Sequence, residues 1–121
     1  MGQNLAMARP ARIFELRTYT SAPGRRGELE ARFADHTVEL FTRHGMEVVG
    51  FFLGTDDDGA PNDQLVYLLA FDSREAATTA WAAFRDDPDW IAVRSRTDVG
   101  GPLAAHVESV YLVPSDFSPI A

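Results

Sequence analysis

The sequence predicts an α+β domain of order βαββαβ, on three observations. Residues Ile13 to Thr20 alternate strictly, with Phe14, Leu16 and Thr18 on one face and Glu15, Arg17 and Tyr19 on the other, as a strand does. Leu29, Phe33, Leu40 and Phe41 recur at helical spacing. Two nearly continuous apolar runs, VVGFFL at 48–53 and LVYLLAF at 65–71, flank a turn-rich loop. A strand, a helix, a hairpin, a second helix and a last strand make the split-βαβ signature of a ferredoxin-like fold. The expected product is an antiparallel four-stranded sheet with both helices on one face. Its first strand should lie centrally, beside the third and fourth.

Taken in order, Ser21-Ala22-Pro23-Gly24 is a turn opening a helix from Gly24 to Arg43. Thr37 fills its apolar stripe, and Glu28, Glu30, Arg32 and Glu39 are expected on the other faces. His44-Gly45 ends it, Gly taking the left-handed position and His a place at the negative helix end. The second strand is expected over Met46 to Thr55, a hairpin loop over Asp56 to Asp63, and the third strand over Gln64 to Phe71. Asp72-Ser73 caps a second helix reaching about Arg85, with Ala76, Ala77, Ala80, Trp81 and Phe84 as its buried stripe. Asp87-Pro88 starts a short helix to about Arg96, with Pro at the first helical position. Gly100-Gly101-Pro102 breaks the chain before a last strand from Ala105 to Val113. Residues 1–11 read as a disordered or extended tail and residues 12–121 as one domain.

One feature does not fit an isolated sheet. Helices on one face should leave the second and third strands alternating, yet both are apolar throughout. An exposed face of Val, Leu, Tyr and Phe would be a large adhesive patch. A second copy of the chain is the simplest cover, which predicts a homodimer closing two sheets into a barrel. The Glu15, Arg17 and Tyr19 surface would then be enclosed within that barrel.

Composition narrows the partners. A net charge of −7 and a pI near 4.8 argue against nucleic acid and anionic membranes. No apolar run approaches the roughly 20 residues needed to cross a bilayer, and no signal-peptide core is evident, so a cytoplasmic location is expected. The absence of cysteine excludes thiolate catalysis, disulfides and cysteine metal sites. His36, His44 and His106 lack ligand spacing, and the acidic loop lacks the order of a calcium loop, so neither metal nor other cofactor is expected.

The ordered set ELRTYT with its Pro-Gly turn, Arg43-His44-Gly45, Asp72-Ser73, Asp87-Pro88-Asp89-Trp90 and Phe117-Ser118-Pro119 resembles the NIPSNAP family. The resemblance runs from about Arg12 to Pro119. It implies a dimeric α+β barrel of ferredoxin-like protomers, a superfamily that includes cofactor-independent monooxygenases, haem-degrading enzymes, small cyclases and muconolactone isomerases. Tyr67 stands where many members carry a third-strand His, a departure that weakens a His-based mechanism at that position.

The candidate ligand-binding residues are Glu15, Arg17, Tyr19, Tyr67 and Glu108; Glu15, Arg17 and His36 are the candidates for catalysis. Glu15 and Arg17, two apart on one strand face, form either a structural ion pair or an anion-binding arginine with its orienting carboxylate. The tyrosine hydroxyls offer donors to a substrate carbonyl, and Glu108 on the last strand offers a further carboxylate or a partner for Arg17. His36 borders the first helix's stripe, where a histidine is more commonly structural. Trp81 and Trp90 read as packing residues. Three functions follow: a pocket for a small, largely apolar molecule bearing a polar or anionic group; a cofactor-independent enzyme using that pocket; or a structural dimer without ligand.

Overall fold

The computed structural model describes residues 12–121, so the tail expected over residues 1–11 lies outside the described residues. Four strands, β1 (Ile13–Ser21), β2 (Glu47–Thr55), β3 (Pro61–Phe71) and β4 (Ala104–Leu112), form one antiparallel sheet in the order β2-β3-β1-β4. The long helix α1 spans residues 26–43, and α2 (Arg74–Asp86) and α3 (Pro88–Thr97) precede β4. The first strand is therefore central between the third and fourth, as expected. The hairpin strand β3 starts three residues earlier than its apolar run suggested, because Pro61 pairs with Thr55.

The helix boundaries follow local chemistry. Ser73 takes an extended conformation and accepts a hydrogen bond from the Ala76 amide, and Asp87 does the same for Asp89 ahead of Pro88. Gly45 ends α1 at φ +76, a conformation that carries little cost only for glycine. Within α1 the residues Phe33–Thr37 form a π-helical turn, where the Thr37 hydroxyl donates to the Arg32 carbonyl. That turn lies in the middle of the helix face that meets the sheet.

One hydrophobic cluster joins the helices to one sheet face. Leu29, Phe33, Leu40 and Phe41 from α1 and Ala77, Ala80, Trp81 and Phe84 from α2 meet Leu65, Tyr67, Leu69 and Phe71 of β3. Cross-strand partners share a face, so the register identifies what lies on each side. Arg17 is paired with Tyr67 and Ser109, and Glu15 with Leu69 and Tyr111, all toward the helices. Leu16 is paired with Leu68 and Val110, and Thr18 with Val66 and Glu108, on the side without helices. The expectation that Glu15, Arg17 and Tyr19 face a barrel interior is thereby corrected. Their side of β1 is the helix-covered side, where the Trp81 indole meets Glu15.

The helix-free face is apolar, as the sequence indicated. Phe52, Val110 and Leu112 are exposed there, Phe52 to 60%, and Leu16, Val66 and Leu68 are half-buried. Among the described residues no helix is long and apolar enough to cross a membrane.

Candidate functional site

The site is built outward from Glu15, whose residue surface is only 1% exposed. A buried carboxylate survives only if its oxygens are satisfied. Trp81 Nε1 donates to Oε1 at 2.7 Å, while Arg17 Nη1 at 2.8 Å and Ser109 Oγ at 2.5 Å donate to Oε2. Burial opposes the charge, but these bonds from Ser109, Trp81 and Arg17 outweigh it and hold the carboxyl below its usual range. Glu15 is therefore an ionised anchor with its acceptors engaged.

Arg17 is fixed by three partners. Besides Glu15, its Nε donates to the Tyr67 hydroxyl at 2.9 Å and its Nη2 to the Tyr19 hydroxyl at 3.3 Å. Its guanidinium lies 4.3 Å from the centroid of the Trp81 ring. Desolvation works against its charge, but the neighbouring tyrosines and Glu15 more than compensate, and its pKa is raised.

The two tyrosines are ordered by burial. Their hydroxyls are 3.0 Å apart. Tyr67 is 0% exposed, and burial pushes its pKa well up, so it keeps its proton. If Tyr19 donated to Tyr67, the Tyr67 proton would be buried without an acceptor, at a cost of about 1–3 kcal/mol. Tyr67 therefore donates to Tyr19. The Tyr19 oxygen then accepts from both Tyr67 and Arg17, and its own proton is free to be donated elsewhere.

It has somewhere to go. A cavity of about 250 Å³ lies between the sheet and the helices, lined by Arg17 and Tyr19 of β1, Arg32 of α1, Trp81 and Phe84 of α2, and Trp90 of α3, among others. Arg85, Arg94 and Asp98 complete its polar lining. Arg32 Nη1 donates to Asp98 Oδ1 at 2.8 Å and to Thr97 Oγ1 at 3.1 Å. Its side chain is only 6% exposed, and its Nε–H is buried without a partner. Burial works against the Asp98 charge, but the Leu103 amide and Arg32 hold its carboxyl below the usual range.

Two other hollows differ in chemistry. One of about 300 Å³ between α1 and β2 is walled by Phe33, Val38, Phe51, Phe52, Leu53 and Leu65, with Glu30 as its one charged lining residue. Another, of about 580 Å³, runs along Arg12, His44, Glu47, the end of β3 at Ala70 and Phe71, and α2. Neither contains a residue of the Glu15–Arg17–Tyr19–Tyr67 network.

The predicted residues thus divide. Glu15, Arg17, Tyr19 and Tyr67 are brought together, with only Arg17 and Tyr19 reaching the cavity wall. Glu108 is not part of the site: it pairs in register with Thr18 on the opposite sheet face and contacts His106 at 3.1 Å. Strand parity explains the difference, since Ser109, one residue on, is on the helix-covered face, where its hydroxyl donates to Glu15. His36 is also elsewhere, on the outer side of α1 beside Arg96 and Val93. Arg32 and Trp90 are functional candidates that sequence reasoning missed. The signal for Arg32 was its place three residues after Leu29, at the edge of the buried stripe rather than on an outer face.

A family model for NIPSNAP matches residues 14–119. The chain belongs to the NIPSNAP family. Solved NIPSNAP structures carry the same fold. A NIPSNAP-like domain protein from Burkholderia xenovorans is 22% identical with a TM-score of 0.77, over 92% of this chain and 91% of that one. A NIPSNAP family protein from Agrobacterium tumefaciens is 24% identical with a TM-score of 0.79, over 93% and 96%. Further away, SnoaB from Streptomyces nogalater, a cofactor-independent oxygenase, is 16% identical with a TM-score of 0.60, over 90% and 98%. These neighbours share the fold of this chain, a four-stranded antiparallel sheet with helices on one face. No curated protein matches the chain.

Proposed function

We propose that this NIPSNAP protein binds a small, largely apolar molecule in the cavity between sheet and helices, by an oxygen that accepts hydrogen bonds from Arg17 and Tyr19. One observation carries the reading. The buried bonds of Glu15 and Tyr67 fix the orientation of Arg17 and leave the Tyr19 proton unused at the cavity wall. A donor pair held rigid by buried partners loses little entropy when it meets an acceptor. The aromatic lining by Trp81, Phe84 and Trp90 suits an apolar body attached to that oxygen.

The enzymatic alternative, cofactor-independent chemistry such as the SnoaB neighbour performs, has some support in the same donors, which suit an enolate oxygen. It also needs a group to take a proton. Glu15 is sealed behind Arg17, His36 is on the far side of α1, and Asp98 is engaged by Arg32 and the Leu103 amide. Binding and orientation are therefore better supported than proton abstraction.

A second copy of the chain completes the proposal as the cover for the helix-free face. Phe52, Leu16, Val66, Leu68, Val110 and Leu112 form an apolar surface there of the kind that a partner covers.

The binding proposal is tested by a thermal-shift survey of small organic molecules on the protein and on Val107→Trp. Val107 lines the cavity opposite Tyr19 in the β1–β4 register and is 41% exposed, so the larger ring fills the cavity beside Tyr19 and leaves the bonds of Glu15 in place. Compounds that raise the melting temperature of the parent protein and not of the variant support the proposal. Stabilisers that act equally on both, or none at all, refute it.

A further inference from the structure

The Arg32 side chain is only 6% exposed, lines the cavity and is held by Asp98 and Thr97 through Nη1. Arg32 reaches the cavity from α1, across from the Arg17–Tyr19 donors of β1, so hydrogen-bond donors arrive from two separate elements. Four arginines line the space, Arg17, Arg32, Arg85 and Arg94, against the single carboxylate of Asp98. This happens in a chain whose net charge is −7, so the local sign is opposite to that of the molecule. Glu15 offsets Arg17 from behind, and Asp98 offsets Arg32. Arg85 and Arg94 remain as the less compensated cations; Arg94 Nε is 3.6 Å from Asp98 Oδ2 and its side chain is 65% exposed. The remaining surface is aromatic: Trp81, Phe84 and Trp90, with Trp90 and Phe84 stacked at 4.7 Å between centroids.

We infer that the ligand is a singly charged organic acid, an aryl or similarly apolar carboxylate, whose oxygens are shared between Arg17 with Tyr19 on one side and the Arg32 guanidinium on the other. This rests on the binding proposal above and adds the charge and class of the ligand. A carboxylate supplies two acceptor oxygens to donors coming from two directions, which a lone carbonyl or alcohol does less well. Charge-assisted bonds to arginine are the stronger kind, and the aromatic walls that keep water from part of the cavity strengthen them. The size also fits: 250 Å³ is the share of about eight waters in the liquid, the scale of a single-ring acid rather than a polycyclic one.

Both tryptophans of the chain line this cavity, so intrinsic fluorescence reports on its occupancy. The test is calorimetric titration of the intact protein with 3-phenylpropionate and, separately, with 3-phenylpropionamide, with tryptophan emission followed in parallel. The two probes share their apolar body and differ in charge. The acid is expected to bind at least tenfold more tightly, to change the emission, and to weaken as salt is raised. Arg32→Met is expected to lose most of that acid preference. Should that variant fold poorly, the acid–amide comparison on the unaltered protein decides by itself. An amide that binds within threefold of the acid overturns the inference and leaves the binding proposal standing. Failure of both probes to bind at millimolar concentration overturns the two together.

Discussion

Glu15→Ala offers the most demanding test of the site's architecture. The substitution removes the acceptor of Trp81 Nε1 and the counter-ion of Arg17, whose side chain is only 15% exposed. Breaking one side of a buried ion pair costs about 3–5 kcal/mol, because the remaining charge stays where water cannot solvate it. An indole N–H stranded in the core adds about 1–3 kcal/mol. The two losses share one environment and do not add fully, and the Tyr67 and Tyr19 oxygens still accept from Arg17. A net loss of about 4 kcal/mol is expected, a large fraction of the roughly 5–15 kcal/mol that holds a domain of this kind together. Urea unfolding followed by tryptophan emission, at one fixed protomer concentration, measures it as a shifted midpoint with unchanged slope. Glu15→Met combined with Arg17→Met leaves neither charge in the core and is expected to cost less than Glu15→Ala alone. A loss below about 1 kcal/mol for Glu15→Ala would mean that water reaches Arg17 in solution, and the ordered donor array would fall with that result.

Other expectations follow from single features. Glu15, Asp98 and Asp87 all have carboxyl pKa values below their usual range, Asp87 at about 2 through bonds from His44, the Asp89 amide and Arg43. Groups whose folded pKa is lowered stabilise the fold above their unfolded pKa, so stability should fall as pH drops from about 4 toward 2. Stability measured against pH in that window would show a shallower decline for Glu15→Gln, and equal slopes would refute the assignment. Leu68→Glu places a charge on the helix-free face and is expected to yield a folded monomer in sedimentation analysis, where the parent is expected to sediment as a dimer. Ser73→Ala removes the 3.0 Å cap on the Ala76 amide and should cost about 1 kcal/mol in thermal unfolding, with no effect on ligand binding.

How much of this was legible in the sequence depends on which physical rule governs each residue. Periodicity fixes element type, and it located β1, the helices and the order of the sheet. The caps at Ser73 and Asp87 were legible because a side chain meets an amide two or three residues away. Strand parity placed Glu15, Arg17 and Tyr19 on one face. It could not say which side that face takes, because VVGFFL and LVYLLAF are apolar on both sides and so fit either orientation. The same ambiguity admitted Glu108. One residue of parity separates it from Ser109, and only the register to β1 resolves the two. Arg32 was obscured for another reason. The buried position of an arginine depends on a distant partner, here Asp98, and on a π-helical turn that follows it, and no short-range pattern encodes either.

The orientation of β1 follows from what each side has to supply. Glu15 needs donors, and the helix side brings the Trp81 indole, which itself needs an acceptor when buried. Ser109 reaches the same carboxylate from β4, and Tyr67 receives Arg17 from β3. The opposite side brings Leu68, Val66, Val110 and Leu112, which bond no charge, and the exposed Glu108 and His106. Turning Glu15 toward that side would exchange the Trp81 and Ser109 donors for these and leave the Trp81 indole without its acceptor, at about 1–3 kcal/mol. The network and the cavity lie on the helix-covered side of the sheet and the apolar surface on the other, so the cavity and the proposed dimer surface occupy opposite sides of the sheet. Leu68→Glu and Val107→Trp act on them one at a time.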